Sequence, residues 1–463
     1  MDIAEALSGR GGVAGVQWAL LDPTPRDLVA EAVGDLLEPG AEATGWRLHR
    51  AKFKPDRVLI AHFEVTIRSQ GRDQMRPVVV TWTPDGDRWG PEFEPAVREL
   101  ESRAAERRLA APFRGLYSRV PEWGMQILVS PVDPRFPQLI SLSEPERVRS
   151  MLASVYGISV NEAPAYDIST IRYRPDERHV LRYAPSGTDG DSEATVFAKM
   201  SRGHDVGTEY RVASSAAEWI DGLRIGVHVA RPLACIAEHE VVLYPRVGGE
   251  TLSHLFMCAQ AGVEDHVRRT GAVLRALHDS PPAPDLELEQ HDFHKELRAI
   301  ARAAEHVDRL LPEVGALLED ALSRAEPVYS GLPSEPSTFV HGDFKADHLL
   351  IEGTDLTVLD FGTCRFGDPA LDLGKLAADL HWWYSLSGAP GLDEARRAFF
   401  EGYGRAPEGR LLRAGVYEAL VLMKSTVRRV PLYEEVWADR TAMLIRRADE
   451  ILRATEASGV NAP

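Results

Sequence analysis

The segment FVHGDFKADHLLIEGTDLTVLDFGTCRFGDP, residues 339–369, places two aspartates at the ends of short apolar runs, Asp343 and Asp360, with His348 between them. A carboxylate at the end of a strand can orient an attacking hydroxyl and accept its proton. A second carboxylate with another donor beside it can hold a divalent cation against phosphate oxygens. The runs HLLIE and LTVLD, parted by Gly353-Thr354-Asp355, predict a small hairpin that carries Asp360 at its far end. Reactive groups on loops held by a rigid hairpin are suited to catalysis. Lys345 reads either as a contact to a transferred phosphate or as a solvated loop lysine, and Asp347 is one further carboxylate.

Upstream elements must complete such a site. From Asp167, DISTIRYRPDERHVLRYAP predicts two strands around a turn at Arg174-Pro175-Asp176, then a polar loop at 186–193 and a third strand at Val196–Met200. Lys199 lies inside that apolar strand, where an ammonium needs a partner. Glu209, in the helical stretch TEYRVASSAAEWI, is the first candidate partner, and Glu218, further along, is the second. HEVVLYPRV predicts another strand. After GGETL the pattern becomes helical: Val263, Val267, Leu274 and Leu277 share one helix face, and ELRAIARAAEHVDRLL behaves similarly. The tail EASGVNAP is expected to fray.

In the first 150 residues, LHRAKFKPDRVLIAHFEVTI repeats the pattern of ISTIRYRPDERHVLRYAP, with Lys54-Pro55-Asp56 where Arg174-Pro175-Asp176 stands. RPVVVTWTPDGD, with Val78, Val79 and Val80, would be the matching third strand, but threonine and tryptophan stand where the second copy has Lys199. The pattern reads as a degenerate internal duplication or as two hairpins alike by chance. ELESRAAERRLAAPFRGLY is the expected main helix of this region.

His-Gly-Asp, a spaced metal-binding residue, Leu-Asp-Phe-Gly and FGDPALDLG occur in the order and spacing that resemble the aminoglycoside phosphotransferase (APH, phosphotransferase enzyme) family. The resemblance covers about 165–455. It implies an α+β, bilobal, protein-kinase-like fold, with a small β-rich lobe at 151–247 and a helical lobe at 248–463. To these, 1–150 would add an N-terminal α+β accessory domain. The implied reaction is transfer of the γ-phosphate of ATP to a hydroxyl. The resemblance makes Asp343 the catalytic residue and Asp360 a magnesium ligand. Lys199 becomes the contact to the α- and β-phosphates, Glu209 its partner, and Leu243, Tyr244, Pro245, Arg246 and Val247 the hinge against the base. Asp368 and Asp372 would brace the catalytic loop, and His341 would be structural. His348 departs from the asparagine usual at its position. Imidazole is a softer ligand, so direct coordination, contact through water and a weakened second metal site stay open, and manganese could serve in place of magnesium. The sequence has no GxGxxG loop.

The chain has 463 residues and a net charge of −17, which argues against a general nucleic-acid binder and is compatible with a cationic substrate. No apolar run approaches the roughly 20 residues that span a bilayer. Cys235, Cys258 and Cys364 are far apart and read as reduced thiols of a cytoplasmic protein. Asp379, Trp382, Trp383, Tyr384 and Glu418 are candidate contacts for an acceptor, or core. Three functions follow. One is a kinase for a small molecule such as an antibiotic, a sugar or a biosynthetic intermediate. Another is a kinase for Ser or Thr of a ribosomally made peptide, working with a partner lyase that 1–150 could help recruit. The third is an inactive binding protein.

Overall fold

The computed structural model of the chain describes residues 2–460 apart from 87–89, 91, 189–191, 204, 282–285 and 287. Residues 189–191 of the expected polar loop and 461–463 of the tail therefore lie outside the described residues. The fold is α+β: two five-stranded antiparallel sheets followed by a helical lobe that carries a small four-stranded sheet.

The first sheet comprises Glu42–Lys54, Val58–Ser69, Arg72–Trp82, Tyr117–Val120 and Met125–Val129. The second comprises Tyr166–Arg174, Arg178–Pro185, Val196–Ser201, Ala234–Ile236 and Val241–Pro245. Numbered along the chain, the strands of both sheets lie side by side in the order first, second, third, fifth, fourth. Each sheet has a helix between its third and fourth strands, Phe93–Glu106 and Val206–Leu223, and one 3-10 turn between its fourth and fifth, Pro121–Trp123 and Ala237–His239. Each first hairpin turns through a Pro-Asp pair whose aspartate takes the left-handed conformation, Asp56 at φ 57° and Asp176 at φ 68°. Aspartate tolerates that region because its short side chain can bond locally. The helix of the first sheet ends at Glu106, short of the expected stretch, and Arg108 has a positive φ of 58°. Tyr117, expected in that helix, begins a strand.

The two sheets are joined by packed side chains. Val58, Ile60 and Val79 of the first share one buried cluster with Leu181, Val196 and Met200 of the second, together with Phe136, Leu139, Leu142, Val148 and Leu152 of the connecting segment. Residue 150 falls inside the helix Pro145–Tyr156, whose apolar face fills this cluster. Polar links run alongside. Buried Asp133 accepts hydrogen bonds from His179 Nε2 (2.8 Å) and from the Asp176 N–H (2.9 Å), and so holds the turn of the second hairpin. His62 Nδ1 lies 3.3 Å from the Tyr173 carbonyl. The first unit also reaches the helical lobe, through Arg309 with Asp56 and through Gln17 with the carbonyls of Leu432 and Glu434.

The helical lobe begins at Leu252 and ends in a helix that runs from Trp437 to Val460, past the point where fraying was expected. Val263, Val267, Leu274 and Leu277 form the buried face of Val263–Asp279, as their spacing predicts. No helix among the described residues is long and apolar enough to cross a membrane.

Candidate active site

The predicted hairpin forms from Leu349–Glu352 and Asp355–Val358 and delivers Asp360 to the floor of a cleft between the second sheet and the helical lobe. Asp360 itself is left-handed, at φ 63°. The other strand end is equally constrained. Gly342 has φ 77°, and a Cβ there would stand 2.7 Å from the Thr363 carbonyl, so only glycine lets the chain turn between His341 and Asp343.

Asp372 fixes that turn. Its carboxylate is fully buried and accepts from the N–H groups of His341 (2.7 Å) and Gly342 (2.9 Å), with His278 at 3.4 Å. His341 is buried, with Nε2 2.9 Å from the Leu359 carbonyl. Asp368 binds Arg413 and Tyr329 and caps the N–H of Ala370. Neither of these aspartates nor His341 lines the cleft.

Lys199 reaches two carboxylates, Glu209 at 2.8 Å and Asp360 at 2.9 Å. Burial disfavours its charge, but Asp360 and Glu209 outweigh burial and hold its pKa above the ordinary lysine value. Glu209 also accepts from the Tyr244 hydroxyl at 3.1 Å. The second candidate, Glu218, points away to an exposed pair with Arg231. Asp360 would resist ionisation by burial alone; Lys199 and His348 reverse that and hold its pKa far below the usual range.

Asp343 is gripped by Lys345 at 2.7 Å and Lys375 at 2.8 Å. Against the cost of burial, Lys375, His348 and Lys345 keep its carboxyl well below the ordinary aspartate pKa. Sequence reading did not single out Lys375. A signal existed: it follows Asp372 by three residues on one helix, so a residue that braces the His-Gly-Asp turn predicts a neighbour one turn on that faces the same loop.

His348 Nδ1 lies 3.0 Å from the Asp343 backbone carbonyl. A proton on Nδ1 leaves the Nε2 lone pair free, 3.7 Å from Asp360 Oδ2. Burial and the charge of Lys345 lower its pKa to about 4, so the ring is neutral near pH 7. Donor atoms of Asp343, His348 and Asp360 all lie within 4.8 Å of one another. One neutral imidazole and two carboxylates fit a divalent cation in charge and in reach.

The cleft above these residues has a volume of about 460 Å³. Lys199, Tyr244, Pro245, Arg246, Val247, His348 and Asp360 line it, together with Phe197, Val180 and Leu350. Leu243 does not. It is fully buried behind the sheet, and its carbonyl accepts from the Leu233 N–H at 2.7 Å. The Arg246 N–H is bonded to the Thr195 carbonyl, and Val247 follows it along the cleft wall. Arg172 and Arg178, from the first hairpin of the second sheet, form the opposite rim.

The acidic and aromatic cluster considered for an acceptor belongs to the core. Asp379 accepts from the Ala346 N–H, the Trp383 indole and Arg429. Glu418 is buried against Arg396 and His381. Trp382 and Tyr384 are buried as well. These carboxylates are already paired and offer nothing to a cationic ligand.

Residues 189–413 match the phosphotransferase enzyme family (APH). Among solved structures, the chain resembles a choline/ethanolamine kinase family protein from Mesorhizobium loti, at 15% identity over 68% of this chain and 99% of that one, with a TM-score of 0.47. It also resembles a spectinomycin phosphotransferase in complex with ADP and spectinomycin, at 12% identity over 62% and 93% with a TM-score of 0.44. A GDP complex of an aminoglycoside 2'-phosphotransferase matches at 14% identity over 68% and 99%, with a TM-score of 0.44. No curated protein matches. The matched segment holds the His-Gly-Asp turn, the Asp360 hairpin, Lys199 and the helix that braces them, and over these residues the chain is similar to the phosphotransferase enzyme family.

Proposed function

We propose that the protein transfers the γ-phosphate of ATP to a hydroxyl of a small molecule. The observation that carries this reading is Lys199 held between Glu209 and Asp360 at one end of the cleft, with Asp343 and His348 beside it. Lys199 is a fixed ammonium for phosphate oxygens. Tyr244, Pro245, Arg246 and Val247 lie along the wall where a base would stack, with the Val247 N–H as a donor. Arg172 and Arg178 stand where a glycine-rich loop would otherwise supply backbone amides.

In the reaction, the acceptor oxygen attacks the γ-phosphorus, the bond to the β–γ bridging oxygen breaks, and the acceptor proton passes to Asp343. A carboxylate this strongly stabilised as an anion is a weak base. Asp343 therefore orients the hydroxyl first and takes its proton late, as the new P–O bond forms. Lys345 and Lys375, one on each carboxylate oxygen, are placed to follow the charge onto the phosphoryl oxygens. Magnesium or manganese would be held by His348 Nε2 and Asp360 and would add positive charge against those oxygens.

Residues 1–150 have no counterpart of Lys199. The register across the first sheet pairs Thr81 with Ile60 and Gln126, where Lys199 pairs with Val180 and Val242. We read this unit as a degenerate repeat of the small lobe with a role in recognition and support. A peptide acceptor presented through this unit is the second reading, and its motive is the contact that the unit makes with both lobes.

The test is binding and slow hydrolysis of Mg·ATP by the full chain, with Asp360→Ala and Asp343→Asn beside it. Nucleotide binding lost in Asp360→Ala, and turnover lost with binding kept in Asp343→Asn, are the expected results. A wild-type chain that binds no nucleotide at millimolar concentration overturns the proposal.

A further inference from the structure

A second cavity of about 410 Å³ lies where the first strand of the first sheet, the turn of the second hairpin, the helix Phe293–Leu310 and the end of the helix Glu408–Arg429 meet. Five cations line it, Arg50, Lys52, Lys54, Arg302 and Arg428, against two carboxylates, Glu177 and Glu305. Both carboxylates are engaged. Glu177 is 2.5 Å from Lys52, and Glu305 pairs with Arg57 outside the cavity. Arg302 and Arg428 have no carboxylate within ion-pair distance among the described residues. Arg50 Nη1 is buried without a hydrogen-bond partner, and the nearest contact of its guanidinium to Glu177 is 3.8 Å. A buried guanidinium nitrogen with no acceptor is costly unless a ligand supplies one.

The cavity borders the active site on two sides: Glu177 adjoins Arg178 of the cleft rim, and Arg428 adjoins Arg429, which lies 3.6 Å from Asp347. Arg172 lines the cleft with Lys199 and Asp360, and its charge environment includes Arg50, Asp360 and Asp347. On the other side Arg428 and Lys375 both act on Lys424, and Lys375 touches Asp343. Arg174 sits among Arg50, Arg172 and Arg178; burial and these like charges lower its pKa to about 9. Such crowding of cations is what a bound polyanion would relieve.

We infer that the acceptor is a phosphorylated alcohol whose phosphate sits in this cavity against Arg50, Arg302 and Arg428 while its hydroxyl meets Asp343. The inference rests on the proposed phosphotransfer at Asp343 and names the substrate class of that same site. Several guanidiniums converging on one space match a tetrahedral oxyanion with several acceptor oxygens, and no cationic acceptor would enter it. The net charge of −17 does not oppose this, because it sums the whole surface while the ligand meets these side chains. The chemistry is that of transfer to any alcohol: the hydroxyl oxygen bonds to the γ-phosphorus, ADP leaves, and the proton goes to Asp343.

The experiment uses the full chain saturated with Mg·ADP, titrated with inorganic phosphate and with glycerol 3-phosphate and followed by ³¹P line broadening. Arg302→Gln and Arg428→Gln are exposed positions, and unfolding temperatures with Mg·ADP present report that the fold persists. The expected result is saturable binding of both probes that weakens at least tenfold in the double variant, with Arg447→Gln as an unchanged surface control. Equal binding in the double variant would mean the γ-phosphate position or an adventitious ion only, and would overturn the inference. Binding of Mg·ADP without binding of either probe defeats the inference alone. Failure to bind Mg·ADP defeats the phosphotransferase reading, and the phosphate titration repeated without nucleotide then judges the cavity separately.

Discussion

The two five-stranded sheets are built on one plan, and of the two the second lines the cleft that holds Lys199 and Asp360. Both have the same strand order, a Pro-Asp turn with a left-handed aspartate, a helix after the third strand and a 3-10 turn before the fifth. They part at one position in the register, Thr81 in one and Lys199, paired with Glu209 and Asp360, in the other. The helices differ as well. Glu209 reaches its lysine, whereas Glu101 accepts from the N–H groups of Leu116 and Tyr117 within its own unit. The two units thus share a strand plan and differ in the side chains it presents. The face of the first unit packs on the second sheet, and its first strand carries Arg50 and Lys52 to the second cavity.

The largest effects should follow from the residues that only the second unit and the helical lobe supply. Asp343→Asn should lower turnover by roughly 10²–10⁴ while nucleotide affinity holds. Thr81→Lys should create no second nucleotide site, because no Asp360 faces the first sheet; measured nucleotide stoichiometry checks this. His348→Asn should keep activity or shift metal preference from manganese toward magnesium, read from rates with each ion.

The junction comes next. Asp133 is buried and holds both His179 and the Asp176 N–H, so Asp133→Ala leaves polar groups unpaired and should cost about 3 kcal/mol in chemical unfolding. Since Asp176 belongs to the turn beside Arg174 and Arg178, Asp133→Asn should also raise KM for ATP with little change in kcat.

A smaller effect depends on pH. Burial, and then the charges of Arg50, His49 and Arg174, lower the pKa of His62 to about 3, against 6.5 when unfolded. The folded state therefore favours the neutral ring. Its contribution is complete above about pH 6.5 and falls as pH drops from 6.5 toward 3, by about 2 kcal/mol at pH 5. Unfolding followed from pH 7 to 5 should show this loss, and His62→Gln should flatten it. The smallest effect is that of the exposed pair Arg57–Glu305, worth about 0.5 kcal/mol or less, so Arg57→Gln should barely move the unfolding midpoint.

The core of the site was legible because its residues are contiguous: the His-Gly-Asp turn, the hairpin and Asp360 lie within 339–369, where strand ends and turns can be read directly. Lys199 and Glu209 were legible because a lone lysine in an apolar strand demands an acid one element away. The acceptor side was not. Asp379 and Glu418 carry the same charge whether free or paired, and only folding shows them bound to Arg429 and Arg396. The cationic cavity draws on four separate segments, so no local pattern announces it. The break at residue 150 cuts a helix because an amphipathic run reads alike whether it closes one unit or, as Pro145–Tyr156 does, supports the next.

The most direct test of the account is calorimetric binding of a non-hydrolysable ATP analogue with magnesium to the full chain, its Lys199→Ala variant and its Asp360→Ala variant. One nucleotide per chain is expected, weakened by roughly tenfold or more in Lys199→Ala and lost in Asp360→Ala. Two nucleotides per chain, or undiminished binding in Asp360→Ala, would contradict it.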